Sequence, residues 1–128
     1  MQAAAFPSES AGPEMIGTRL RPGDPNYRAY VGPPNDYDLI GGLQFTALFR
    51  AGLRESHRLL DLGCGSLRAG RLFIPYLRPG CYYGIEPNTW LVDEGLTREL
   101  GADIVRVKRP TFSAVGDFSL ASLGEVFD

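Results

Sequence analysis

Leu59-Leu60-Asp61-Leu62-Gly63-Cys64-Gly65-Ser66 is the stretch on which the reading of the fold turns. Leu59 to Leu62 is an apolar run of strand length, and two glycines follow it at once, the pattern of a buried parallel strand that ends in a tight turn. Downstream, Ser66 is placed to cap a helix in which Leu67, Gly70, Ile74 and Leu77 share a face, with Pro75 kinking or ending it before Arg78, Pro79 and Gly80. Tyr82, Tyr83, Gly84 and Ile85 then form a β-prone run ending at Glu86 and Pro87. Asn88 or Thr89 can cap a second helix running towards Leu100, with Gly101 beyond it. Thr111 to Gly116 reads as a third strand leading to Asp117, and Val126 and Phe127 as a fourth strand beginning. Strands and helices that alternate in this way predict an α/β fold with right-handed crossovers and a mostly parallel sheet.

Upstream, YDLIGGLQFTALFRAGL places Ile40, Leu43, Ala47 and Leu48 on one helical face, with Asn35, Asp36 or Asp38 as cap, although Gly41 and Gly42 weaken a helix there. Pro7, Pro13, Pro22, Pro25, Pro33 and Pro34 crowd the opening of the chain, among Gly, Ser and Ala. The chain therefore divides into an irregular arm over 1–34 and a folded part over 35–128.

With 128 residues, 44% hydrophobic and 22% charged, the chain is sized for one core. A formal net charge of -2 offers no excess of cations to follow a phosphate backbone, so nucleic acid is not implied as a partner. No apolar run approaches the roughly 20 residues that span a bilayer, and the start has no signal-peptide pattern, so the expected address is cytoplasmic and no membrane is implied. Cys64 and Cys81 lack metal-ligand spacing, and His57 is the one histidine; free thiols and no metal are expected. Cys64, between two loop glycines, reads as filling a small gap rather than as a nucleophile. Trp90 and Leu91 read as the buried face of the second helix.

Chemistry enters through three features in register: a glycine turn after strand one, an acid after strand two and an acid after strand three. Gly63 and Gly65 let the backbone turn sharply and admit a close approach to the main chain. Glu86, about 20 positions further on, ends the second strand where a carboxylate accepts from both hydroxyls of an adenosine ribose. The third glycine of a dinucleotide fingerprint is missing, its place taken by Arg68. Asp61 beside the turn would repel a pyrophosphate and attract an ammonium and a sulfonium. That charge pattern favours S-adenosylmethionine over NAD.

LLDLGCGS, then YYGIEP, then VGDF followed by FD, resembles motifs I, II, III and the start of IV of the class I S-adenosylmethionine-dependent methyltransferases, over Leu59 to Asp128. Upstream, YVGPPNDYDLIGGLQF resembles a bacterial subgroup of them. The resemblance implies a Rossmann-like, doubly wound sheet of order 3-2-1-4-5-7-6, here incomplete and ending near the start of strand four. It implies that Asp61, Gly63 and Gly65 line the methionine end of S-adenosyl-L-methionine, Glu86 the ribose, and Asp117 with the Phe118 main chain the adenine edge. Tyr30, Tyr37 and Gln44 either lie over the cofactor or pack ordinarily. The chain would supply the cofactor-binding half of a methyl transfer and by itself be inactive and poorly stable. Its acceptor is open among oxygen, nitrogen and carbon, with a small molecule slightly favoured. The alternatives are a non-catalytic cofactor-binding remnant and an NAD-dependent oxidoreductase, the latter opposed by Asp61 and Arg68.

Overall fold

The computed structural model describes residues 19–116, 120, 124 and 126–128. Three strands, β1 (Leu59–Leu62), β2 (Tyr82–Ile85) and β3 (Thr111–Ser113), form a parallel sheet in the order β1-β2-β3. Leu59 stands beside Tyr82, and Gly84 beside Phe112. The crossovers are helical: α2 (Gly70–Tyr76) joins β1 to β2, while α3 (Thr89–Glu94), a wider turn of helix over Gly95–Leu100 and α4 (Ala102–Lys108) join β2 to β3. The expected alternation of strand and helix is therefore present, with α4 as an added element. β3 is shorter than the expected run from Thr111 to Gly116, because the chain leaves the ladder after the Ser113 carbonyl accepts from Glu86 N–H at 3.0 Å.

β1 and β3 are the outer strands among the described residues, and β2 is the middle one. Leu59 N–H donates to the Cys81 carbonyl (2.9 Å) and Gly63 N–H to that of Ile85 (2.8 Å), so alternate residues turn their amides towards β2. Arg58, Leu60 and Leu62 turn theirs the other way. There Asp128 N–H donates to the Arg58 carbonyl at 3.1 Å, and Arg58 N–H to Asp128 Oδ2 at 2.8 Å. The strand expected to begin at Val126 and Phe127 is not formed at those residues, yet Asp128 stands where a neighbour of β1 on its open side would enter.

One face of the sheet carries the core. Tyr82, with Leu59 and Phe112 beside it, packs in one cluster with Phe73 and Ile74 of α2, Leu77 just beyond it and Val92 of α3. The face foreseen for α2 is the buried one, since Leu67, Gly70, Ile74 and Leu77 are all inside. Its start is not where it was expected. Ser66 is fully buried and caps nothing; residues 65–69 form tight turns and the helix begins at Gly70. Leu67 adopts φ 64°, a left-handed value unfavourable for a branched side chain, and its complete burial offsets that strain. Pro75 lies in the last turn of α2, which ends one residue later.

Helix α1 (Tyr37–Ala51) is present, closed by Gly52 in the left-handed region (φ 112°). Its buried stripe differs from the expected one. Leu48 packs on the core as expected, but Leu43 is 59% exposed and Ala47 is exposed, whereas Tyr37 and Gly41 are buried and Phe45 packs on the core. The cause is Gly41: a Cβ there would meet the Arg68 main-chain carbonyl closer than any real contact, so the helix turns its glycine, not Leu43, towards the β1–α2 loop. The arm foreseen over 1–34 is described from Arg19; in it a short 3-10 turn over Tyr27–Val31 buries Tyr27 and Ala29, and a second, over Pro34–Asp36, leads into α1.

Candidate functional site

The turn after β1 is held on three sides. From α1, Gly41 presses on Arg68; from the wider turn beyond α3, Gly95 lies so close that a Cβ would be 2.5 Å from the Ser66 carbonyl. From β2, Glu86 reaches back. Its Oε2 accepts from Gly65 N–H at 3.0 Å, and its Oε1 accepts from Asn88 N–H at 2.9 Å and Asn88 Nδ2 at 3.2 Å. Gly65 and Glu86, singled out from their spacing alone, are thus joined directly. A carboxylate has about four acceptor positions; among the described residues three are engaged, and the buried Glu86 keeps one on Oε2. Asn88 stands at the N-cap position of α3 with no side-chain bond to the helix, serving the carboxylate instead.

Gly63 (φ 70°) and Gly65 (φ 55°) both occupy the left-handed region that the sharp turn needs. They differ in surroundings. Among the described residues a Cβ on Gly63 would meet nothing within 4 Å, whereas one on Gly65 would lie 2.7 Å from Val31 Cγ1. Val31 belongs to a strap, residues Tyr30 to Pro33, laid over the turn; its carbonyl accepts from Arg68 Nη1 at 2.8 Å, and the Tyr30 ring meets Trp90 edge-on at 5.5 Å. The strap is anchored before and after. Arg28 donates to Glu99 through Nε (2.6 Å) and Nη2 (2.8 Å), and Tyr27 donates to Glu99 as well. The buried Tyr37 hydroxyl donates to the Ser66 carbonyl at 2.9 Å, and burial raises its pKa to about 12.

Asp61 sits on the core face of β1 and accepts from the Tyr82 hydroxyl at 2.7 Å. Burial raises its pKa, against the pull of that hydrogen bond and of Arg68. Burial also lifts Tyr82 well above the usual phenol range, so the phenol keeps its proton and remains the donor. Asp61 lines a groove of about 280 Å³ with Gln44, Ala47, Leu48 and Phe73, between α1 and the outer edge of β1. Glu86 lines a different cleft, of about 220 Å³, with Thr89, Val92, Asp93 and Phe112. The two acids therefore line separate grooves rather than one cavity. Tyr37 has a packing role, and Gln44 lies on the Asp61 groove. Asp117 and Phe118 lie outside the described residues.

Cys64 is buried beneath the turn, its Sγ filling the space where a Cβ on Gly84 would be (2.8 Å). Burial pushes its thiol up, away from the thiolate a nucleophile needs. Both cysteines are free. Sequence reasoning passed over Asn88, taken as a cap, and Arg68, taken only as a missing glycine. The signal for Arg68 was its place within three residues of Gly65. Among the described residues no helix is long and apolar enough to cross a membrane. No family model, no curated protein and no solved structure matches this chain.

Proposed function

We propose that the chain binds S-adenosyl-L-methionine at the turn after β1 and is the cofactor-binding half of a Rossmann-like methyltransferase. The observation that carries the reading is the bond from Gly65 N–H to Glu86 Oε2, which sets a buried carboxylate with one open acceptor position beside a glycine turn at the carboxyl end of a parallel sheet. Ligands of open α/β sheets lie at that end. Glu86 would take a ribose hydroxyl, Gly63 leaves its side of the turn open among the described residues, and Asp61, two positions before Gly63, sets a negative group beside the turn. When bound, S-adenosylmethionine supplies a methyl group on a sulfonium that is already electrophilic. The chain's own task is then to bind and orient, and to hold opposite charge near the cationic end.

The groups fit the cofactor in sign and in donor type. A dinucleotide fits less well, since Arg68 replaces the third glycine and Asp61 opposes a pyrophosphate. Titration calorimetry of the chain with S-adenosylmethionine, S-adenosylhomocysteine and NAD tests the reading. Binding of either sulfur ligand without NAD is expected. NAD binding in the absence of both would overturn it.

A further inference from the structure

Arg68 is the one charged side chain of the turn that its described surroundings leave incompletely satisfied. Its Nη1 donates to the Val31 carbonyl, while its Nε is buried and has no hydrogen-bond partner among the described residues. A guanidinium does not lose its charge, so a buried donor on it without an acceptor is costly, and such an orphan calls for an explanation. The main chain around it is fixed: Gly41 presses on the Arg68 carbonyl, Leu67 is locked in the left-handed region, and Gly95 abuts Ser66. The cationic head thus springs from a rigid base. Against it lies the strap, for a Cβ on Gly32 would be 3.4 Å from Arg68 Nη1. Asp61 is near enough to feel the Arg68 charge, yet the two have different partners, a phenol and a main-chain carbonyl.

We propose that Arg68 is the receptor for a ligand carboxylate, taken side-on through its Nε edge, and that with Asp61 on the ammonium it makes the turn a reader of the α-amino-acid end of the ligand. This rests on the S-adenosylmethionine reading and adds to it a residue that determines specificity. Side-on pairing through Nε and the adjacent Nη2 is the geometry in which arginine holds a carboxylate by two parallel bonds. Nη1 is already engaged by Val31, so the Nε edge is the one left for a ligand. Because Nε is covered, the strap at Val31 and Gly32 must shift as the carboxylate enters.

The test compares S-adenosylmethionine with its decarboxylated form, which keeps the adenosyl group, the sulfonium and the amine, by calorimetry on the full chain. Wild type is expected to prefer the carboxylate by about 10- to 100-fold, the usual weight of a charge-assisted bidentate pair. In Arg68→Gln the ratio should fall to near one while affinity for the decarboxylated ligand stays within about twofold, and Arg68→Lys should keep part of the preference. Equal affinities in wild type would overturn the proposal with no variant needed, and leave the cofactor reading standing. A ratio that survives in Arg68→Gln, or an equal loss for both ligands, would reduce Arg68 to a support for the strap. If neither ligand binds wild type, the cofactor reading falls and this inference with it.

Discussion

The turn that opens the first crossover and the strand that feeds it are held very differently. Residues 63–70 are clamped by Gly41 from α1, Gly95 from beyond α3 and the Glu86 carboxylate from β2, and Ser66 and Leu67 have no exposed surface at all. A few ångströms away, the outer edge of β1 is open among the described residues: Leu62 is 55% exposed, and only Asp128, at Arg58, pairs with it. Equally apolar neighbours thus experience opposite conditions. Close packing is concentrated where a loop must be held in one shape, and the strand feeding that loop takes its order from it.

The sharpest way to break the clamp is to add one carbon. Gly41→Ala forces a Cβ onto the Arg68 carbonyl, a main-chain atom that cannot swing aside. The expected loss is about 3 kcal/mol, at the upper end for overpacking. Its neighbour is the control. Gly42 lies inside α1, and a Cβ added to it would meet no described atom within 4 Å, so Gly42→Ala should stabilise by about 0.5–1 kcal/mol through helix propensity. Thermal melts of the two variants should move in opposite directions. A matching response would show that α1 does not press on the turn.

Glu86→Gln tests the clamp from the other side. The amide oxygen can replace one carboxylate oxygen but not both, so either Gly65 or Asn88 loses its acceptor. A cost of about 1.5–3 kcal/mol is expected, typical of hydrogen bonds to a charged group. Any affinity for S-adenosylmethionine should fall with it. A variant as stable as wild type would mean that the turn holds its shape without Glu86.

These contacts also show what was legible in sequence. The strand–turn–helix order and the burial of Leu67, Ile74 and Leu77 follow from local pattern, because period and turn chemistry act over a few residues; spacing singled out Gly65 and Glu86, but the direct bond between them, 21 positions apart, was not legible. The face of α1 did not. Leu43 is the better hydrophobe, but Gly41 faces inward because the loop comes closer than any side chain permits, a tertiary constraint with no signature within the helix. Ser66 misled in the same way: its hydroxyl lies within hydrogen-bond distance (3.1 Å) of the Tyr37 hydroxyl, from twenty-nine positions upstream, and not of the helix that follows it. Arg68 could be read as the loss of a glycine, and only the packing around its guanidinium shows a donor without a partner among the described residues.

Asp61 stands at the boundary between the clamped and the open region, and pH separates its two roles. Burial raises its pKa, so the folded state takes up a proton before the unfolded chain does as pH falls. The favourable contribution is therefore complete below the unfolded value and is lost as pH rises through the folded one. Asp61→Asn, neutral throughout, should melt above wild type at neutral pH, with the gap closing in acid. It should also weaken binding of a cationic ligand. Melts across the range from about pH 3 to 8 check the first expectation, and a gap independent of pH would show that burial of the charge is not its source.

The smallest effect on stability belongs to the open edge, where the consequence is association instead. Leu60 and Leu62 turn their main-chain amides away from β2, no described strand pairs with them, and an apolar strand with an open ladder is a template for another copy. Leu62→Lys places a charge on that edge without disturbing the core, because the side chain is already more than half exposed. Stability should change by no more than about 0.5 kcal/mol, as is usual for surface sites. Sedimentation at increasing concentration should nevertheless show less self-association than wild type. Val107→Lys is the matched control, on α4 and 51% exposed, with the same change in charge but away from the edge. If it suppresses association as strongly, net charge is responsible and the β1 edge has no special part. If only Leu62→Lys does so, the open strand is the site at which copies meet.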